Sequence, residues 1–176
     1  MVDREYKPNP NSVALAGEFA TLSQLALRGY DANMTLGNTK MVDILVSDPE
    51  TGRMYRLEVK TSGYRRSGGG AGKRSKLFGH TYTWIMSKKH ETLIDRSLFY
   101  CFVNLAEKDG ASFRFFIVPS KVVAEYVSAQ HELWLGDDPT HKDTSIRSFR
   151  LALHTDGYPL PTPNAERYEN NWSFSR

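Results

Sequence analysis

The chain has 176 residues, of which 40% are hydrophobic and 24% charged, and its formal net charge is +3. This composition is typical of a water-soluble globular protein, and the length suits one domain with a single core. No apolar run approaches the roughly 20 residues that cross a bilayer, which excludes a membrane-spanning protein. The single cysteine, Cys101, excludes an internal disulfide and a cysteine-based zinc site, and its apolar neighbours predict a small core residue.

The two ends of the chain differ in composition from its middle. Residues 1–12, MVDREYKPNPNS, are polar and lack the apolar segment of a secretory signal, so we expect a loose lead-in and a cytoplasmic protein. Residues 13–155 are expected to form the main domain. Residues 156–176 are rich in proline and aromatic side chains, and we expect this extension to pack on the domain or on a partner.

The first predicted element is a helix, because apolar residues recur at helical spacing over residues 13–27. Ser12 is the expected cap, and Gly29 follows the end of the helix. The predicted buried stripe comprises Leu15, Phe19, Leu22, Leu25 and Ala26. Glu18 falls on this stripe, where a carboxylate requires a specific reason to be buried.

Alternating apolar and polar residues between turn sequences predict a series of strands after this helix. The predicted strands are 32–36, 41–47, 54–60, 82–87, 98–105, 112–119 and 146–153, with a short helix at 88–95 and a longer one at 121–135. The turn sequence SDPETGR joins strands 41–47 and 54–60 into a hairpin. This order of elements predicts an α/β or α+β fold in which helices flank a central mixed sheet.

The strand RLEVKTS, residues 56–62, carries an acid and a base on one face. Side chains alternate along a strand, so Glu58 and Lys60 share one face and the apolar residues occupy the other. A hairpin that turns at the middle of SDPETGR places Asp43 directly opposite Glu58. Opposed residues have Cβ atoms roughly 4.5–5.5 Å apart, and two carboxylates at that range repel unless a cation lies between them.

The opposed carboxylates therefore predict a divalent-metal site. Mg²⁺ suits this site because it binds through one or two carboxylates and accepts water and phosphate oxygens as further ligands; we expect that Mn²⁺ can substitute. Lys60 would hold and polarise a water near the metal, or neutralise charge on a phosphate. Glu18 would bind a metal water or a second ion if its helix packs beside the hairpin.

The residues with this chemistry occur in a recognisable order. The pairs G-E at 17–18 and V-D at 42–43, followed after a turn by E-V-K-T at 58–61, resemble the motif of the PD-(D/E)XK nuclease superfamily. The similarity is to the branches that contain Holliday junction resolvases and restriction endonucleases, and it covers residues 13–120. Val42 stands where the name of the family has its proline.

The resemblance implies a restriction endonuclease-like αβββαβ core within a nuclease-like domain at residues 13–155. It implies a metal-dependent endodeoxyribonuclease that acts in restriction, repair or junction resolution, with products that carry a 5′ phosphate and a 3′ hydroxyl. Asp43, Glu58 and the Val59 carbonyl would hold the Mg²⁺. Lys60 would be the catalytic lysine, and Glu18 would be the carboxylate of the helix.

Positive charge is concentrated in one segment. Residues 53–89 contain ten Lys or Arg against one acid, which is typical of a surface that neutralises phosphates but also of a solvated loop. Within this segment, residues 64–76 place glycines between two basic clusters. The residues predicted to contact nucleic acid, with DNA favoured, are Arg65, Arg66, Lys73, Arg74, Lys76 and Thr61. The nearby aromatic residues, which either stack on unpaired bases or belong to the core, are Tyr64, Phe78, Tyr82 and Trp84.

Each functional interpretation has a plainer alternative. The acid and base of the strand can be a solvated face, Asp43 part of a surface ion pair, and Glu18 a residue at the boundary of the core. The whole chain can be a non-catalytic nucleic-acid-binding module that retains the nuclease fold, or one subunit of a homodimer or of a larger restriction or repair assembly. His80 and His90 receive no role, because neither has ligand spacing to another histidine.

Overall fold

The structure is a computed structural model that describes residues 9–35, 42–62, 73–105, 112–154 and 157–175, with the backbone alone at 73–75. Its elements in chain order are α1 (Pro10–Ala26), β1 (Asp31–Met34), β2 (Ile44–Ser47), β3 (Met54–Ser62), β4 (Lys73–Ser75), β5 (Gly79–Ser87), a 3₁₀ turn (Lys88–Glu91), β6 (Leu98–Leu105), β7 (Phe113–Pro119), α2 (Ser120–Asp137), β8 (Ile146–Ala152) and α3 (Ala165–Tyr168). None of the described helices is long and apolar enough to cross a lipid bilayer.

Two sheets form the framework of the molecule. The central sheet has the strand order β1-β2-β3-β6-β7, and all its neighbours are antiparallel except β3 and β6, which are parallel. The second sheet has the order β4-β5-β8 and is antiparallel. The fold is therefore mixed α+β around a central mixed sheet of five strands flanked by helices, which confirms the predicted class.

The parallel pairing of β3 with β6 requires a crossover connection. In the predicted αβββαβ order a helix occupies this connection. In the described part of the chain the crossover contains β4, β5 and the 3₁₀ turn, and the turn Lys88–Glu91 stands where the short helix 88–95 was predicted. The strand β4 lies in the segment predicted as a loop, and the short helix α3 was not predicted.

Both faces of the central sheet are covered. One face packs on the second sheet and on α2, in a cluster that includes Tyr100, Phe102 and Phe116. The opposite face packs on α1 and on the end of the chain, where Trp172 and Phe174 are buried. Cys101 is fully buried on this second face, as predicted for a core residue.

The helix α1 begins earlier than predicted. Its cap is Asn9 rather than Ser12, because the Asn9 side chain accepts a hydrogen bond from the Ser12 backbone N–H at 2.8 Å, and Pro10 occupies the first helical position. The helix ends at Ala26, and Gly29 follows with a positive φ of 81°.

The face of α1 that packs on the sheet also differs from the prediction. The buried residues are Gly17, Thr21 and Leu25, whereas Leu15 and Phe19 of the predicted stripe are 47% and 54% exposed. Small residues occupy the packed face because the helix lies very close to the sheet. A Cβ added to Gly17 would lie 1.9 Å from Thr61 Oγ1 on β3. The close approach places the next residue of the helix, Glu18, beside the end of β3.

Candidate functional site

The turn between β2 and β3 sets the geometry of the candidate site. The Asp48 carboxylate accepts hydrogen bonds from the backbone N–H groups of Glu50 and Thr51 and from the Thr51 hydroxyl, at 3.0, 3.3 and 2.6 Å. Gly52 supplies a positive φ of 67°, which favours glycine. These local bonds fix where the chain reverses, and hence which residues of the two strands face each other.

The observed register of the hairpin is the predicted one. Ile44 pairs with Leu57 and Val46 with Tyr55. Asp43 directly precedes β2, and its backbone N–H donates to the Leu57 carbonyl at 2.8 Å. Continuing the same register by one residue places Asp43 opposite Glu58.

Asp43 lies at the end of this ladder with a constrained carboxylate. Its Oδ2 accepts a hydrogen bond from the Val59 backbone N–H at 2.7 Å. Burial raises the pKa of Asp43 above its ordinary value and the charge of Glu58 adds to this effect, while the Val59 N–H and the charges of Lys60 and Lys89 oppose it. The carboxylate therefore sits where negative charge is disfavoured.

Glu58 and Lys60 form a close pair on one face of β3. Glu58 is only 3% exposed, which excludes the alternative that it belongs to a solvated strand face. Lys60 Nζ lies 2.6 Å from Glu58 Oε1, and its side chain is 28% exposed. The other oxygen, Glu58 Oε2, is buried and has no hydrogen-bond partner among the described residues. Burial of a carboxylate oxygen without a partner is unfavourable, so Oε2 is the atom of this pair that can accept a further ligand.

Glu18 belongs to the same electrostatic cluster, although it lies on α1. Its side chain is partly buried, and burial is the first cause that raises its pKa. The charge of Asp43 raises the pKa further, whereas the charge of Lys60 lowers it. The structure thus brings three predicted carboxylates and one lysine within electrostatic reach of one another, with Lys89 as a further exposed cation near Asp43.

The histidine of the 3₁₀ turn also belongs to the site, although it was predicted to have no role. His90 is 2% exposed; its Nδ1 lies 2.7 Å from the Tyr100 hydroxyl and its Nε2 lies 3.6 Å from Glu58 Oε1. Burial lowers the pKa of His90 to about 4; Glu58 opposes this shift, and the cations Lys60 and Lys89 add to it. The ring is therefore neutral near pH 7.

No sequence signal reports the contact between His90 and Glu58. The parallel register of β3 and β6 pairs Glu58 with Tyr100, and the crossover then returns His90 to the same place. The pairing of Glu58 with Tyr100 and the position of His90 both depend on the topology of the sheet, whereas a sequence pattern indicates only local spacing.

The predicted nucleic-acid contacts are only partly within the described residues. Arg65 and Arg66 lie outside them, as do the side chains of Lys73 and Arg74. Lys76 is exposed in the turn between β4 and β5. The Thr61 hydroxyl is buried under α1 without a hydrogen-bond partner among the described residues, a position that leaves this oxygen no access to nucleic acid.

The nearby aromatic residues belong to the core. Phe78, Tyr82 and Trp84 are 4%, 2% and 2% exposed, and the Trp84 indole N–H donates to the Val103 carbonyl at 2.9 Å. Of the two alternatives for these side chains, stacking on unpaired bases is therefore wrong. Tyr64 lies outside the described residues.

The donor atoms of the site fit a hard divalent cation. Within the described ranges no group of three His, Cys, Asp or Glu side chains is arranged to hold a metal ion, so the candidate site offers the two carboxylates of Asp43 and Glu58. Mg²⁺ is the ion that proteins bind through so few carboxylates, with water and phosphate oxygens as the other ligands. The partnerless Glu58 Oε2 is the atom that such an ion would satisfy.

Comparison with known proteins identifies similarity in structure but not in sequence. No protein-family model and no curated protein sequence matches the chain. Among solved structures, the bacterial homing endonuclease I-Ssp6803I is similar, with a TM-score of 0.51 and 13% sequence identity over 95% of this chain and 91% of that chain. At this identity the similarity concerns the fold alone, and it extends over most of both chains.

Proposed function

We propose that the protein is a metal-dependent nuclease of the PD-(D/E)XK type that hydrolyses phosphodiester bonds in DNA. The observation that carries this proposal is the pair of Glu58 and Lys60, joined at 2.6 Å beside Asp43 at the end of a hairpin. The similarity of the fold to a homing endonuclease supports the same reaction class. Carboxylate, lysine and a basic surface are the groups that phosphodiester hydrolysis requires.

The charge balance of the site explains why a metal belongs there. Burial and the charge of a neighbouring carboxylate raise the pKa values of Asp43 and Glu18, and the positive charge of Lys60 does not offset these effects. Asp43, Glu58 and the Val59 carbonyl would hold Mg²⁺, with Mn²⁺ as a substitute. When bound, the ion supplies a Lewis acid that polarises the phosphate and lowers the pKa of water.

The protein side chains have separate tasks in this reaction. Lys60 is partly exposed and can turn from Glu58 towards the scissile phosphate, where its ammonium neutralises developing negative charge. Glu18, on the α1 side of the cluster, orients the attacking water. Water adds to phosphorus in line as the bond to the 3′ oxygen breaks, and the products carry a 5′ phosphate and a 3′ hydroxyl.

The basic segment supplies affinity for the substrate. Lys76 precedes β5 in the chain and Lys89 follows it, and both are exposed. They belong to the segment 53–89, which contains ten Lys or Arg and one acid. Contacts of such residues with phosphates position a duplex without reading its sequence. We therefore expect binding that weakens steeply as salt is added.

The test is a cleavage assay with a matched pair of variants. Labelled duplex, single-stranded and four-way DNA are incubated with the protein and Mg²⁺, beside Asp43→Asn and the control Asp31→Asn, which makes the same change at an exposed position of β1. Wild type and Asp31→Asn should cut and lose activity in EDTA, while Asp43→Asn should bind DNA without cutting it. Cleavage by Asp43→Asn at the wild-type rate would contradict the proposal. DNA binding by the wild type without cleavage in either Mg²⁺ or Mn²⁺ would favour the non-catalytic binding module instead.

A further inference from the structure

The buried residues His90 and Tyr100 lie in a line that ends at Glu58. Tyr100 is fully buried on β6, and His90 is 2% exposed on the 3₁₀ turn. The Tyr100 hydroxyl is 2.7 Å from His90 Nδ1, and His90 Nε2 is 3.6 Å from Glu58 Oε1. Burial of polar side chains costs free energy unless their hydrogen bonds are satisfied, so the contacts of these two residues require an explanation.

The hydrogen bond to Tyr100 favours one tautomer of His90. A buried phenol hydroxyl needs an acceptor, and His90 Nδ1 is the partner that the structure gives to Tyr100. Donation to Nδ1 leaves the ring hydrogen on Nε2, the nitrogen that faces Glu58. At 3.6 Å the contact is longer than a hydrogen bond, so the N–H dipole acts on the carboxylate through space in a buried setting.

The two oxygens of Glu58 have different surroundings. Oε1 faces both Lys60 Nζ at 2.6 Å and His90 Nε2 at 3.6 Å, whereas Oε2 has no hydrogen-bond partner among the described residues. The carboxylate is thus anchored through one oxygen while the other remains available. When Lys60 turns towards a phosphate, the N–H of His90 is the group that still faces Oε1.

We propose that His90, held by Tyr100, is a positioning residue that orients the Glu58 carboxylate and presents Oε2 to the divalent cation. This inference rests on the proposed function, because it assumes that Glu58 is a metal ligand. Groups that hydrogen-bond or orient a ligand of a metal tune its affinity, and their loss weakens binding by about 10-fold to 100-fold.

The experiment measures binding of Mg²⁺ and Mn²⁺ to the purified protein by calorimetry, without DNA. His90→Phe keeps the ring and removes the N–H, Tyr100→Phe removes only the hydroxyl, and His90→Gln restores a donor at the Nε2 position. We expect about tenfold weaker metal binding for the two phenylalanine variants and near wild-type binding for His90→Gln. In the cleavage assay, the phenylalanine variants should need more metal for half-maximal rate but reach a nearly unchanged rate at saturation.

The control is His131→Phe, which removes another buried histidine, 6% exposed, from a different cluster. Its metal affinity should equal that of the wild type. If His90→Phe fails to fold, Tyr100→Phe decides the question, because the hydroxyl is lost without a change in ring packing. Wild-type affinity in the folded phenylalanine variants would overturn the positioning role, while equal metal binding by wild type and Asp43→Asn would overturn the proposed function itself.

Discussion

Two clusters of charged residues meet at the 3₁₀ turn, and they differ in how completely their charges are paired. The first is the site around Glu58. The second surrounds Arg147, whose side chain is 1% exposed and pairs with Glu91 and, at 2.9 Å, with Asp143. Asp143 also binds Lys88 at 2.7 Å and His131 at 3.0 Å.

The pKa values of the carboxylates record this difference. Hydrogen bonds from Lys88, Arg147 and His131 hold the pKa of Asp143 well below its ordinary value. The pKa values of Asp43 and Glu18 are raised instead, because burial and repulsion by a neighbouring carboxylate outweigh the effect of nearby positive charge. A cluster saturated by the cations of its own chain stabilises the fold, whereas a cluster short of positive charge is suited to bind an external cation.

The largest expected effect of a substitution is on catalysis at the unsaturated cluster. Lys60→Met should lower the rate of DNA cleavage by about 100-fold to 1000-fold, because it removes the cation that neutralises the phosphate in the proposed mechanism. Single-turnover cleavage at saturating Mg²⁺ measures the effect. Lys121→Met on the exposed surface of α2, where the lysine side chain is 68% exposed, is the control and should cut like the wild type. A wild-type rate for Lys60→Met would remove the functional distinction between the clusters.

Substitution in the saturated cluster around Arg147 should change the stability of the fold rather than catalysis. Arg147→Met leaves Glu91 and Asp143 without their buried partner and should lower the free energy of unfolding by about 3 kcal/mol, near the lower end for breaking a buried pair because Asp143 is half-exposed. Urea unfolding measures this change. Lys88→Met, at a 57% exposed partner of the same Asp143, should change stability by less than about 1 kcal/mol. Equal urea midpoints for Arg147→Met and wild type would contradict the structural role.

The histidine between the clusters predicts a dependence of stability on pH. An unfolded histidine takes up its proton near the ordinary pKa of 6.5, whereas His90 in the fold does so only near pH 4. The unfolded state therefore binds more protons in this window, and the stabilisation present above pH 6.5 is lost as the pH falls towards 4, by up to about 3 kcal/mol. Urea unfolding at several pH values should show a smaller loss for His90→Gln. Parallel pH profiles for the two proteins would contradict this assignment.

The smallest expected effect is a gain in stability at the unsaturated cluster. Glu18→Gln removes one negative charge from a crowded site and should raise the free energy of unfolding at pH 7 by less than about 1 kcal/mol, because solvent screens this partly exposed group. Protonation of Glu18 in the wild type removes the same negative charge as the substitution does, and the raised pKa of Glu18 reflects this. The gain in stability should therefore vanish as the pH falls below the pKa of Glu18. Thermal unfolding checks this, with Glu50→Gln in the exposed hairpin turn as the control. Destabilisation by Glu18→Gln alone would contradict the idea of crowded charge.

Local patterns in the sequence predicted the hairpin and its register correctly. The turn residues from Asp48 to Gly52 hydrogen-bond to one another, and Gly52 adopts the positive φ that the turn requires. The reversal of the chain therefore depends on adjacent residues. The alternation of side chains along β2 and β3 then determines which residues face each other. Cys101 was placed correctly for the same kind of reason, since it lies in an uninterrupted apolar strand.

Features that depend on packing between distant segments were not predictable in this way. The exposed face of α1 carries Leu15 and Phe19, because close packing on β3 favours small residues over a larger apolar stripe. His90 reaches Glu58 only through the parallel pairing of β3 and β6. The strand β4 has only three residues, KRS, and none of them is apolar, so it produces no alternating pattern.

The contact between Gly17 and Thr61 has a consequence for how this protein can change during evolution. A methyl group at position 17 would collide with the Thr61 side chain, so replacement of the glycine alone would push α1 off the sheet and carry Glu18 with it. A smaller residue at 61 would relieve that collision. We therefore expect the two positions to covary among descendants of a common ancestor, with alanine tolerated at 17 only where 61 has lost its hydroxyl.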